Sequence, residues 1–413
     1  MGRARTGTDR RAEILRAAGE LFQRRGFHQV SMNEVAAAVE ITAPALYRHV
    51  RGKQELLRQT VTAVLDGFEA ALAPALAPAR AGGRPSLDSL AEALATATLD
   101  NRTLGALLHR EVRYLEPERR AEAEDRLRRI AEEIAAALDA AGAPGEPRLR
   151  AWAALFAYGS VSLHGASLPR ARFERQLAGL GRALFTVPLG AATDRPRPQP
   201  AESGGPAPSR REELLRAAVR LFHQRGFEAV SVNELGAAVG IAGPSVYKHF
   251  GGKAEILAAA SARTRERVRL AMEGALAAPG GSGTPGETLE RMLDAYIDYA
   301  VGNPDNLGLV PTGTVHLPEP DLRESLAFRR EFVGGWAGLL GESRPGLEPT
   351  AARITVQAAV TLINDAVSLA PLRDRPDLGP RLRELGRAVL QITPAHRAPA
   401  AGRTSLDSGD KDG

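Results

Sequence analysis

EILRAAGELFQRRGFHQVSMNEVAAAVEITAPALYRHVRGKQELL (13–57) recurs as ELLRAAVRLFHQRGFEAVSVNELGAAVGIAGPSVYKHFGGKAEIL (213–257), shifted by 200 residues without a gap and identical at roughly half of its positions. Solenoid repeats have periods of about 20–50 residues, so this spacing means a duplicated pair of domains and not an array. Between the copies, VPLGAATDRPRPQPAESGGPAPS (187–209) is rich in proline and small polar residues, the composition of a flexible, partly polyproline-like linker. The segment after Pro394 has the same character and reads as a disordered tail. Elsewhere Ala, Leu, Glu and Arg dominate at 3–4-residue apolar spacing, with Gly and Pro collected at breaks. The expected fold is all-α. The expected domains are 9–52, 53–187, a linker over 188–208, 209–252, 253–393 and a tail over 394–413.

Inside the first copy, Ile14, Leu15, Ala18, Leu21 and Phe22 form one apolar helix face that stops at Gly26-Phe27. Ser31 with Glu34 three residues on is a capping box opening a second helix, whose Val35, Ala36 and Val39 face inward. A tight turn at Glu40-Ile41 leads to a third helix expected over 43–49. Ser231, Glu234 and Gly240-Ile241 repeat the pattern. Two short helices joined by a three- or four-residue turn make a helix-turn-helix, with the long helix bracing them.

The third helix is the candidate reader. Leu46 and Val246 point to the core, leaving Thr42, Ala43, Ala45, Tyr47, Arg48 and His49 outward, with Ala242, Gly243, Ser245, Tyr247, Lys248 and His249 in the second copy. Small residues at its start let the helix N-terminus approach base edges and phosphates. Tyrosine and histidine supply phosphate donors, and Lys53 and Lys253 open the next helix, where a cation and free amides suit another phosphate. The tyrosines also admit a packing role, which the surrounding pattern outweighs. His49 and His249 have no second ligand nearby, so the sequence implies no metal and no cofactor.

The run Gly26-Phe27, Ser31, Ala36, Ile41, Tyr47, His49, Lys53 and Glu55-Leu56 resembles the DNA-binding signature of TetR regulators, as do Gly226, Phe227, Ser231, Ile241, Tyr247, His249, Phe250, Lys253 and Glu255. That resemblance implies phosphate contacts from Ser31 and Ser231, a ligand pocket among the middle helices of each body, and a four-helix bundle formed by each body's last two helices. Those pairs fall at 148–167 with 170–186, and 348–370 with 378–392. The first copy departs at Glu40, where the family carries glycine, and at Val50, where it carries an aromatic.

Charge agrees with two polyanion-binding modules on larger bodies. The chain carries +5, but residues 1–53 hold +5 and 209–253 hold +3, leaving −3 for the remainder. With no cysteine there is no disulfide or cysteine-ligated metal, and no phosphate-cradling glycine motif or spaced His/Asp/Glu set suggests an enzyme. The basic start MGRARTGTDRR lacks an apolar stretch behind it, and no segment approaches about 18 uncharged apolar residues, so the expected location is the cytoplasm, without a membrane partner.

The bodies share little identity. His109, Arg110, Tyr114 and Trp152 in the first, and Tyr296, Tyr299, His316, Trp336 and Asn364 in the second, are candidates to line pockets for a small hydrophobic or amphipathic effector. The expected partner is a double-stranded operator. Self-association occurs either between the two halves of one chain or as a homodimer. Two readings compete with a ligand-responsive repressor: a DNA binder without ligand sensing, and one with a single active helix-turn-helix.

Overall fold

The computed structural model describes residues 7–190, 209–277, 283–313 and 316–392, and all regular structure among them is helical. Most of the expected linker and the expected tail therefore lie outside the described residues.

The first half opens with α1 (Gly7–Arg25), α2 (Met32–Ala38) and α3 (Ala43–Tyr47). It continues through α4 (Lys53–Arg80), α5 (Leu87–Asp100), α6 (Leu104–Ala106), α7 (Pro117–Ala140), α8 (Pro147–Gly159) and α9 (Arg170–Thr186). Between α6 and α7 the chain tightens into a π turn, Leu107–Glu111, and a 3-10 turn, Val112–Tyr114. The second half repeats the opening as α10 (Arg210–Arg225), α11 (Val232–Ala237) and α12 (Gly243–Val246). It follows with α13 (Lys253–Ala277), α14 (Pro285–Gly302), α15 (Pro304–Gly313), α16 (Glu319–Ser343), α17 (Pro349–Ser368), α18 (Ala370–Arg373) and α19 (Leu378–Leu390).

Three expectations need correction. The third helix ends at Tyr47 in the first copy and Val246 in the second, not at His49, because the chain turns out toward buried Val50 and Phe250. The helix expected over 148–167 stops at Gly159 and gives way to a 3-10 turn, Ser160–Leu163. Finally, α4 is long and apolar enough, by length and composition alone, to cross a membrane. It buries Leu56, Leu57, Val61, Leu65, Phe68, Leu72 and Leu76 along the face a core helix presents to its neighbours.

The halves pack through their last helices: α8 against α17, and α9 against α19. Small side chains at the crossing, Ala151, Ala154 and Ala157 on α8 with Ala352, Ala358, Ala359 and Ala366 on α17, are fully or almost fully buried. Polar links reinforce the seam. Gln176 Nε2 donates to Thr355 Oγ1 at 2.7 Å, and Arg375 forks onto Glu146 at 2.9 and 3.0 Å. Gly190 accepts from Arg381 at 2.7 Å and donates to Glu384 at 2.8 Å. One hydrophobic core runs from the first helix-turn-helix through both bodies, whereas the second module closes a smaller core of its own around Leu214, Phe222, Val246 and Phe250, with Leu317.

Candidate nucleic-acid interface

The two modules are built by the same local rules. Ser31 and Ser231 each accept from the amide of Glu34 or Glu234 at 3.2 Å, while the glutamate takes the serine amide at 2.7 or 2.8 Å. Both capping boxes are complete. The serine amide, then its hydroxyl, then Arg25 or Arg225 hold Glu34 and Glu234 down to about 2. Arg10 and Arg210 reach across to the carbonyls of Val39 and Val239 at 3.1 and 2.7 Å, tying the long helix to the turn.

On this scaffold Tyr47 and Tyr247 stand 52% and 58% exposed, the only exposed aromatic residues among those described. Thr42, Arg48, Ala242 and Lys248 are exposed beside them, and Ala43, Ala45, His49, Ser245 and His249 are half-buried. Neither Arg48 nor Lys248 forms an ion pair with a described residue. Leu46 and Val246 are fully buried beneath. Thr42 is the N-cap of α3 and accepts from the Ala45 amide at 3.4 Å, while Ala242 offers no side-chain cap.

Three expected contacts change character: Gly243, Lys53 and Lys253. Gly243 is buried, packed so closely on Asn233 that a methyl group there would collide with it, so it is a packing position and not an outward one. Lys53 and Lys253 are turned inward. Lys53 Nζ donates to the His28 carbonyl at 3.1 Å over the Phe27 ring, and Lys253 Nζ donates to Phe227 and Val230 carbonyls at 2.9 and 3.2 Å over the Phe227 ring. These lysines clamp the Gly-Phe loop, the local carbonyls and π face competing for the charge that a phosphate would need. Ser31 and Ser231 stay exposed, but each hydroxyl already serves its glutamate.

The bodies grip these loops. The Phe27 amide donates to buried Glu111 at 2.8 Å, and the Phe27 ring stacks on Tyr114 at 5.7 Å. Burial raises the Glu111 pKa and pushes Tyr114 up to about 12. Tyr114 Oη lies 3.3 Å from His316 Nε2 of the other half, and His316 Nδ1 lies 3.1 Å from Glu228 while its ring stacks on Phe227 at 4.6 Å. Tyr114 and His316, expected in pockets for an effector, line only a cleft of about 10 Å³, where they bridge the loops of the two modules.

The remaining pocket candidates divide between two cavities. One, of about 670 Å³, lies mainly in the first body, lined by His109, Trp152, Phe156 and Leu104 among others, and is closed by Leu369, Pro371, Leu372 and Arg375 of the second. The other, of about 210 Å³, lies in the second body; Tyr296 and Asn364 line it, and Arg110 enters it from the first half. The Tyr296 hydroxyl donates to Asn364 Oδ1 at 2.9 Å. Trp336 is fully buried behind Tyr296 and Phe332, and neither it nor Tyr299 lines either of these cavities: Trp336 fills the core and half-buried Tyr299 packs against it. The sequence reading missed Arg329, which lines the second cavity from a charged stretch, FRREF (328–332), that looks like ordinary helix surface.

A family model described as bacterial regulatory proteins, tetR family, matches residues 14–60 and 214–260. The HTH-type transcriptional activator FasR of Mycolicibacterium smegmatis is 37% identical over 68 residues, 16% of this chain and 31% of FasR. The HTH-type transcriptional repressor BdcR of Escherichia coli is 54% identical over 43 residues, 10% of this chain and 22% of BdcR. The chain thus spans less than a third of the length of these curated relatives. Among solved structures, the TetR family transcriptional regulator PfmR from Thermus thermophilus is matched over 98% of its length by 45% of this chain, with 24% identity and a TM-score of 0.37. The same family model, matched at both copies of the repeat, supports a tandem TetR-type regulator.

Proposed function

We propose that the chain is a sequence-specific DNA-binding transcriptional regulator whose two halves act as an intrachain pseudo-dimer on a single operator. The observation that carries this is the pair of exposed tyrosines, Tyr47 and Tyr247, at the same place in both copies. A large aromatic left in water at a repeated position, beside an unpaired cation, is arranged for a partner and not for the core. The packing of α8 and α9 on α17 and α19 supports the pseudo-dimer, since it occupies within one chain the face that two subunits would share. The readers differ at Thr42 against Ala242, Ala45 against Ser245 and Arg48 against Lys248, so the operator has two related but unequal half-sites. Such a role places the protein with the DNA, in the bacterial cytoplasm.

The cavities support an effector-responsive regulator. A small molecule favouring one arrangement of the bodies displaces the reading helices through Glu111, Tyr114 and His316, and a coupling of about 1–3 kcal/mol suffices. The matched domain occurs in a named activator and a named repressor, so it leaves the sign of regulation open. Repression is the output that operator occupancy supplies without a further contact. Selection of bound duplexes from genomic fragments tests the reading: the expected result is an imperfect palindrome bound with strong salt dependence. No salt-dependent affinity for any duplex, or a strictly symmetric site equally sensitive in both arms, defeats it. Light scattering should return one chain mass, 43.8 kDa; a stable species of twice that mass contradicts the pseudo-dimer.

A further inference from the structure

We propose that the cavity in the second body binds an amphipathic carboxylate, its head group held by Arg329 from α16 and by Arg110 from the other half. The inference deepens the effector-responsive reading and rests on it only for the consequence at DNA; the binding step is separately measurable.

The argument begins with charge balance. Three arginines line this cavity, Arg110, Arg265 and Arg329, against a single carboxylate, Asp365. Arg265 is satisfied by Glu324 at 2.9 Å and Ser325 at 2.8 Å. Asp365 is already committed, its Oδ2 lying 3.0 Å from His109 Nε2. Arg329 makes no hydrogen bond or ion pair with any described residue. Burial first, then the like charge of Arg110, lowers its pKa. Arg110 gives one donor to the Gln23 carbonyl and lies 3.7 Å from Glu111, yet its buried Nε has no hydrogen-bond partner. Two guanidinium groups facing one cavity without an anion between them are costly, because a cation withdrawn from water needs a counter-charge. A carboxylate supplies it in the planar, two-pronged geometry that guanidinium matches best.

The rest of the cavity sets the remainder of the ligand. Leu307, Phe328, Phe332, Val333 and Val360 give it an apolar wall. The volume of about 210 Å³ suits a medium-length aliphatic or single-ring body more than a polymer or a nucleotide. The arginines that line the first cavity, unlike Arg329, each have a partner: Arg128 pairs with Asp125, Arg148 with Glu132, Arg375 with Glu146, and Arg102 donates to the Ala166 carbonyl at 3.0 Å. The anion site therefore belongs to only one of these two cavities. Its occupancy has a short path outward, since Arg110 neighbours Glu111 on the π turn, and Glu111 holds the Phe27 amide.

Titration calorimetry on the full chain tests this without DNA, using hexanoate, octanoate and decanoate, the matching 1-alcohols, and inorganic phosphate. The expected result is that the best-fitting acid binds about tenfold or more tighter than its alcohol. Arg329→Met should lose about tenfold for the acid and leave the alcohol within about twofold, while Arg329→Lys falls between. Equal affinity for acid and alcohol, no acid binding at millimolar concentration, inorganic phosphate binding as tightly as octanoate, or an Arg329→Met variant that binds acid normally each overturns the proposal. If Arg329→Met does not fold, as melting curves will tell, the acid-to-alcohol ratio in the wild type and in Arg329→Lys decides the matter. A chain that binds octanoate but no duplex would sink the regulator reading alone; one that binds duplex but no acid would sink this one alone.

Discussion

The two reading heads differ less than the two bodies that carry them. Each head repeats the same capping box, the same arginine bridge from the long helix to the turn, and the same inward lysine under a phenylalanine. The bodies diverge in the features a ligand would sense. The first holds a cavity of about 670 Å³, and the second one of about 210 Å³ with an unpaired arginine. On the proposed reading, a common DNA partner accounts for the likeness of the heads, a constraint that the bodies do not share. The integration also differs. The first head shares the bodies' core, while the second closes a core of its own. A structural disturbance in the bodies therefore reaches the first head through a shared core, and the second through α10 packed on α15 and the Glu228–His316–Tyr114 link.

The largest effect should come from the pair that joins the bodies. His109 lines the first cavity, Asp365 the second, and they meet at 3.0 Å across the seam. His109→Leu leaves Asp365 as a buried charge without a partner, and chemical denaturation should show a loss of about 3–5 kcal/mol, mostly recovered in the double variant with Asp365→Leu. Burial opposes the charged imidazole, but the Asp365 carboxylate outweighs it and holds the His109 pKa above its ordinary 6.5; burial raises that of Asp365. The folded state thus binds the His109 proton more tightly than the unfolded state does. That contribution is complete below pH 6.5 and declines as pH rises through the elevated value, by at most about 1.4 kcal/mol per pH unit. The wild type's advantage over the double variant should therefore shrink between pH 6.5 and 9. An advantage that grew over that range would mean the seam is held by something else.

The heads offer the next test. Tyr47→Phe and Tyr247→Phe remove one hydroxyl each, and operator affinity by fluorescence anisotropy should fall about tenfold for each if both heads read. Arg48→Ala and Lys248→Ala should each flatten the salt dependence by about one phosphate. A tyrosine whose loss changes nothing would identify a head that docks without reading.

A packing difference comes third. Phe250 is buried with the Arg211 guanidinium 4.2 Å above its ring; in the first head Val50 fills the place and Arg11 turns instead to Gln59 at 3.3 Å. Phe250→Val should cost the second head about 1–3 kcal/mol through the cavity left and the stacking lost. The departure at Val50 was readable in the sequence, but the exchange of arginine partners was not, since it depends on what an emptied volume leaves in reach.

Much of the architecture was legible because it rests on local chemistry. The repeat, both capping boxes, the inward Leu46 and Val246 and the outward tyrosines each follow from a few neighbouring residues. What escaped depends on residues far apart in the chain. Arg329 carries no sequence mark of its isolation, because its lack of a partner is a property of four elements and the opposite half. Lys53 and Lys253 read as free cations until the loop carbonyls 23–26 residues before them were in place. Tyr114 and His316 lie 202 residues apart, and their meeting is set by how the halves pack.

The smallest effect tests the oldest-looking difference between the heads. The turn after the second helix adopts a left-handed conformation in both, with φ of 54° at Glu40 and 71° at Gly240. Glycine accepts this freely, while a side chain there costs about 1 kcal/mol. Replacing Glu40 with glycine relieves that strain but also frees the unfolded chain, which returns about half of the gain. The net stabilisation should be about 0.5 kcal/mol, a rise of roughly one or two degrees in melting temperature. Gly240→Ala should run the other way by about 1 kcal/mol, and purely through the backbone, because no heavy atom lies within 4 Å of the added methyl. Since the second head has its own core, its loss should emerge as a separate early step in calorimetry, whereas Glu40→Gly moves the main transition. If both substitutions shifted one common transition, the two heads would be equally integrated, and the contrast between a fused first head and a semi-independent second would fall.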